Sequence, residues 1–151
     1  MTVEDTRWTL RVTAAQPFGA KVHARKHSFA VGAPLSFDAE YGAITALEYL
    51  LGAVGADLVG GIQAVARRRR VEVDDIEVVV HGVLHNPMVY LRAVGEVGDA
   101  GIGAIEARVY ISSLDDEARV RAVWTEVLET SPIANTLTKA VKLDLTYQQV
   151  L

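Results

Sequence analysis

The sequence predicts an α+β fold in a single domain. Three observations carry that expectation. Short segments with alternating apolar and polar residues stand near both ends and in the middle of the chain, the period of half-buried strands. One long apolar run has the composition of a helix rather than a strand. A second run, later in the chain, repeats its apolar residues at helical spacing. The length of 151 residues fits one domain, and a hydrophobic share of 50% supplies a sizeable core.

The elements follow in order. "WTLRVTA" (Trp8 to Ala14) alternates and reads as a strand. After the turn signal "QPFG", "AKVHARK" and "HSFAVG" read as two more strands. "APLSFDAEYGAI" is a loop, because Pro, Gly and acids break any period. "TALEYLLGAVGADLVGGIQAVARRRR" is the long helix, opened by a Thr45–Glu48 capping box.

That helix carries Gly52, Gly55, Gly60 and Gly61 in its interior. Each costs about 1 kcal/mol relative to Ala, so close backbone approach to a neighbour is expected in return. From Leu47 to Val65 it is apolar nearly all round, which predicts burial on most faces. A domain of this size cannot bury such a helix alone. A second copy of the chain is expected to cover part of it.

"DDIEVVVHGVLH" (Asp74 to His85) is a strand with a turn at "NP". "MVYLRAVGEV" reads as a further strand, joined through "GDAGIG" to "IEARVYISS" (Ile105 to Ser113) as a hairpin. "SLDDEARVRAVWTEVLET" is an amphipathic helix, with Ala118, Val120, Val123, Trp124, Val127 and Leu128 as its apolar stripe and acids at its start. "PIANTLTKAV" is a short second helix, and "KLDLTYQQV" closes the chain as a strand.

Composition excludes several functions. There is no cysteine, so disulfides, thiol catalysis and thiolate metal sites are out. A net charge of -4 argues against nucleic acid as a partner. The basic run Arg67 to Arg70 falls where the long helix ends, where cations suit the helix dipole. "MTVEDTRWTL" is acidic and polar, unlike a signal peptide. No charge-free apolar stretch reaches the length of about 18 residues expected of a membrane span. A soluble, cytoplasmic protein with no membrane partner and no cofactor is expected.

Three phrases carry a family resemblance. "ALEYLLGAVGADL", "VDDIEVVVHGVLHN" and "ETSPIANTLTKAV" resemble the central helix, the following strand and the final helix of the OsmC/Ohr family, the osmotically inducible and organic-hydroperoxide-resistance proteins. The element order fits over most of the chain. The resemblance implies antiparallel sheets wrapped around a long buried central helix, in an intertwined homodimer. It implies a stress-response, redox-related fold whose best-known members reduce organic hydroperoxides with two cysteines, organised by a Glu and an Arg.

Here the sequence departs from the family. The resemblance places the first cysteine at Asp57, the second at Ser131 and the glutamate at Glu48. A thiolate attacks the peroxide, becomes a sulfenic acid and condenses with the second thiol. Neither Asp nor Ser runs that cycle, so a thiol peroxidase is excluded. The loop before the helix holds no arginine, and Arg25 is the nearest candidate.

The remaining residues keep two readings each. Pro132 suits the first helical position and Ser131 its N-cap. Serine nucleophilicity would need a base within reach, and no G-x-S-x-G elbow surrounds Ser131. Asp57 lies amid small apolar residues, where a charge must be paired, hydrogen-bonded or wet. It either faces solvent only or serves as a ligand-binding carboxylate or general base. Glu48 lies nine residues earlier, about half a turn out of phase. The two carboxylates would meet only across a dimer, and Glu48 is also the capping-box acid. His23 and His27, and His81 and His85, are spaced four apart. His81 and His85 would share a strand face, but nothing else at ligand spacing supports a metal.

The expectation is therefore an OsmC-like protein without hydroperoxide reductase chemistry. It would bind a small hydrophobic or amphipathic molecule at a dimer-interface pocket, with Asp57, Ser131 and Glu48 as candidate ligand residues. The alternatives are a hydrolase or isomerase using Asp57 with Ser131 or a histidine, and a purely structural dimer.

Overall fold

The computed structural model describes residues 6–151. The start of the acidic segment "MTVEDTRWTL" lies outside them. The chain forms two compact units, one ending at Leu50 and one running from Leu51 to Leu151.

The first unit is an antiparallel meander of β1 (Arg11–Ala14), β2 (Ala20–Ala24) and β3 (His27–Val31). Val22 lies opposite both Val12 and Phe29. Gly19 holds φ at +102°, and a Cβ there would stand 2.6 Å from the Val31 carbonyl oxygen, so only glycine fits this turn. The loop that follows is fastened by backbone contacts. Gly32 N–H donates to the Ile44 carbonyl at 2.8 Å, and Ala33 N–H donates to the Tyr41 hydroxyl at 2.9 Å. Trp8, Phe18 and Phe37 are 81%, 70% and 61% exposed, so large apolar side chains remain uncovered in the single chain.

The long helix α1 (Ala46–Arg69) begins as predicted. Thr45 N–H donates to Glu48 Oε2 at 2.7 Å, and Glu48 N–H donates to Thr45 Oγ1 at 3.2 Å. These are the two reciprocal bonds of a capping box. By length and hydropathy α1 could cross a membrane, but only one stripe of it packs inside the chain: Val54, Gly55, Leu58, Ile62, Val65 and Ala66.

Its far end is held by the arginine run. Arg70 takes φ +55°, and Val71 N–H returns to the Ala66 carbonyl at 2.9 Å, closing the helix in a left-handed turn. The Arg119 guanidinium donates to the Arg70 carbonyl at 2.7 Å, and Arg68 and Arg69 pair with Glu126. The run's side chains thus pair with Glu126, and it is Arg119 that satisfies the helix end.

In the second unit, α1 packs with a sheet of order β4 (Asp75–Leu84), β5 (Ile102–Ser112) and β6 (Lys142–Val150). β5 alternates strictly: Ile105, Ala107, Val109 and Ile111 are buried, while Glu106 and Arg108 pair on the other face at 2.5 Å. Helix α3 (Glu117–Thr130) adds Val120, Val123, Trp124 and Val127 to this core, with Trp124 against the Tyr147 ring at 5.4 Å. Truncating Leu58 or Ile62 to Ala would cost roughly 2–5 kcal/mol, because both are almost wholly enclosed.

Four expectations need correction. "MVYLRAVGEV" is not a strand. Asn86 accepts the Met88 N–H at 3.0 Å and Pro87 takes the first helical position, so this segment starts with the short helix α2 (Pro87–Tyr90) and continues in turns. The predicted hairpin through "GDAGIG" therefore does not form. β5 pairs antiparallel with β4 instead, Val78 opposite Val109. The sheets are not all antiparallel: β6 runs parallel to β5, Ala107 opposite Leu145, because the helical segment between them carries the chain back across the sheet. Finally, Ala118 does not belong to the buried stripe of α3 but is exposed.

Candidate functional site

The site grows from one close helix crossing. Gly61 on α1 lies against Val127 on α3: a Cβ on Gly61 would stand 3.1 Å from Val127 Cγ1. The missing side chain lets the two helices approach. One turn back from Gly61 stands Asp57, and one turn on from Val127 stands Ser131.

The two meet. Ser131 Oγ donates a hydrogen bond to Asp57 Oδ2 across 74 positions of chain. Ser131 also caps α4 (Pro132–Leu137), where its Oγ accepts the Ala134 N–H at 2.9 Å and Pro132 takes the first helical position. The serine is 6% exposed and Asp57 is half-buried. The hydroxyl therefore donates its one hydrogen bond to the carboxylate and accepts one from a backbone N–H. The charge on Asp57 is neither ion-paired within residues 51–151 nor fully dry; it is hydrogen-bonded and half-open to solvent.

A further residue, Asn135, shapes this corner. Its side-chain amide donates to the Ser131 carbonyl at 2.6 Å and to the Leu128 carbonyl at 3.0 Å, satisfying the end of α3. Sequence reasoning missed it, and the signal that could have found it is an amide side chain four residues after a Ser-Pro corner, able to fold back onto the preceding helix end.

The other candidates lie elsewhere. Glu48 is exposed and engaged with Thr45 through the backbone bond and a 2.8 Å bond from the hydroxyl. Those bonds hold its carboxyl below the ordinary glutamate range, the Thr45 N–H first and the hydroxyl second, with desolvation opposing them. Arg25 occupies the exposed turn between β2 and β3 at φ +54°. His23 sits 3.4 Å from Thr13 Oγ1, and its pKa is lowered by desolvation, then by Arg11 and Lys21. His27 is exposed on β3.

His81 and His85 do not share a strand face. β4 ends at Leu84 after an irregularity at Val83, and His85 stands beyond it, 3.4 Å from Asp99. Among the described residues no three His, Asp or Glu side chains gather at metal-binding distance.

A cavity of about 630 Å³ opens between α1 and the start of β4, lined by Gln63, Arg67, Asp74 and Asp75 among others. Neither Asp57 nor Ser131 lines it. It reflects a gap beside the helix end, and the carboxylate–hydroxyl pair is the better candidate because its chemistry is focused.

The interior glycines of α1 divide into two kinds. Gly55 and Gly61 are explained within the chain, the first against Val80 with 3.3 Å to a Cβ, the second against Val127. Gly52 and Gly60 face open space and are exposed, as are Ala56 and Ala64. These four repeat every fourth residue along one face.

The sequence matches the family model described as OsmC-like protein over residues 38–146. None of the curated proteins matches it. Among solved structures, the fold is similar to an OsmC-like protein from Mycoplasma pneumoniae, 17% identical with a TM-score of 0.79, covering 97% of this chain and 99% of that one. It is also similar to an organic hydroperoxide resistance protein from Legionella pneumophila, 14% identical with a TM-score of 0.68, covering 93% and 97%. A third is an organic hydroperoxide resistance protein of Bacillus subtilis, 16% identical with a TM-score of 0.59, covering 93% and 98%.

Proposed function

Because the chain belongs to the OsmC-like family yet has no cysteine, we propose that it is a binding member of that family, which has given up hydroperoxide reduction. Its ligand is a small hydrophobic or amphipathic molecule, held where two copies of the chain meet. Asp57 and Ser131 supply the polar end of the site, and Glu48 is the third candidate residue. The protein acts as a cytoplasmic homodimer without a cofactor.

The single observation that carries this reading is the Asp57–Ser131 hydrogen bond. The two positions that the family resemblance matches to cysteines are in direct contact. A reactive sulfur pair needs that proximity, and here it is occupied by groups that bind protons but not electrons. The open face of Gly52, Ala56, Gly60 and Ala64 supports the second copy. Small residues at that spacing admit another backbone, and Gly52 and Gly60 gain nothing inside the chain for their cost in helix propensity.

Native mass spectrometry of gently purified protein tests both parts. The expected species is a dimer of the 16.3 kDa chain carrying a small co-purified mass. A bare monomer at micromolar concentration contradicts the proposal.

A second reading draws on the same contact. A carboxylate accepting a serine proton is the start of a general-base arrangement, as a hydrolase or isomerase would use. Against it, Ser131 is enclosed and its oxygen already caps a helix. Ester turnover abolished by Asp57→Ala would favour this reading. A closed, dry cleft in the dimer would favour a purely structural role.

A further inference from the structure

We infer that the polar end of the ligand is a hydrogen-bond donor, and preferably a protonated amine, rather than a carboxylate, phosphate or carbonyl. This rests on the binding proposal above and names the chemistry that the site selects.

The donors and acceptors around the Asp57–Ser131 pair set this preference. The hydroxyl of Ser131 has one proton, and Asp57 Oδ2 takes it. The Ala134 N–H, which the corner of α4 could otherwise offer, is consumed by Ser131 Oγ at 2.9 Å. The Asn135 N–H returns to the Ser131 carbonyl at 3.1 Å, and the Asn135 side-chain amide is turned onto the carbonyls of Leu128 and Ser131. Pro132 has no N–H to give. The Ala134 N–H and the Asn135 donors are thus spent on internal bonds.

Acceptor capacity remains. An ionised carboxylate offers about four lone-pair positions, and Ser131 fills one on Oδ2. Asp57 is half-buried rather than enclosed, so the rest of its carboxylate is within reach of a small molecule. Within residues 51–151 no lysine, arginine or histidine pairs with it. An anionic head would meet a like charge. An alcohol would give one neutral bond, and an ammonium would give a charge-assisted one. The apolar body of the ligand would lie along α1 next to Asp57, at the half-buried Ala53 one turn before it.

The test compares n-octylamine, 1-octanol and octanoate, which share a tail and differ in the head. Titration calorimetry at pH 7 uses the full-length protein. The expected order is octylamine first, octanol about tenfold weaker, and octanoate weakest. Asp57→Asn should erase the preference for the amine, bringing octylamine and octanol to within about threefold of each other. Amide chemical shifts of the native protein give a readout without any variant, and octylamine should move the signals of Asp57, Ser131 and Ala134 most.

Octanoate binding as tightly as octylamine overturns the inference and leaves the binding proposal standing. So does an amine preference that survives Asp57→Asn, or amine-induced shifts confined to other residues. Failure of all three probes to bind counts against both.

Discussion

The Ser131 hydroxyl donates a hydrogen bond to Asp57 Oδ2, and in doing so ties the start of α4 to the middle of α1. The same oxygen accepts the Ala134 N–H at 2.9 Å. One side chain therefore performs two tasks, capping a helix and neutralising part of a carboxylate's need for partners inside an apolar helix.

Removing that hydroxyl should be costly. Ser131→Ala loses a cap, typically about 1 kcal/mol, and leaves a half-buried carboxylate short of a donor, which adds about another 1 kcal/mol. Urea unfolding should show a loss of about 2 kcal/mol. Ser131→Thr retains the hydroxyl and should lose less. A Ser131→Ala protein as stable as the native one would show that neither bond contributes.

The glycines of α1 should respond in opposite ways. Gly61→Ala places a Cβ 3.1 Å from Val127 Cγ1, and a β-branched neighbour cannot easily turn away. It should destabilise the chain despite better helix propensity. Gly60→Ala meets nothing within the chain and would gain roughly 1 kcal/mol in an isolated copy. In the proposed dimer it crowds the partner backbone, and Gly60→Leu should yield monomer in a sedimentation experiment. A dimer unaffected by Gly60→Leu would place the partner elsewhere.

The capping box predicts a pH dependence. Thr45 lowers the pKa of Glu48 on folding. A carboxyl depressed in the folded state adds stability above its unfolded-state pKa and loses it as the pH falls through the folded-state value. Glu48→Gln should therefore melt below the native protein at neutral pH. The gap should close once the pH falls well below 4.5, the ordinary glutamate value. A gap that stays constant across this range would show that the charge on Glu48 does not matter.

Local chemistry was legible in the sequence where one residue type has one strong use. Thr45 with Glu48, and Ser131 with Pro132, announced two helix starts, and both are found. "MVYLRAVGEV" misled because its alternation outweighed the Asn-Pro signal before it, and Asn86 and Pro87 turn the chain into α2. The direction of β6 was not legible, since alternation fixes which face is buried but not which way a neighbour runs. The Asp57–Ser131 contact could not come from spacing alone. It depends on Gly61 admitting α3 at Val127, a packing relationship between segments far apart in the chain.

The most direct measurement is dithiol-dependent consumption of an organic hydroperoxide by the native protein beside the Asp57→Cys/Ser131→Cys double variant. The account predicts no turnover by the native protein and measurable turnover by the double variant, because the two positions already touch. Turnover by the native protein would contradict the claim that this chain has left redox chemistry behind.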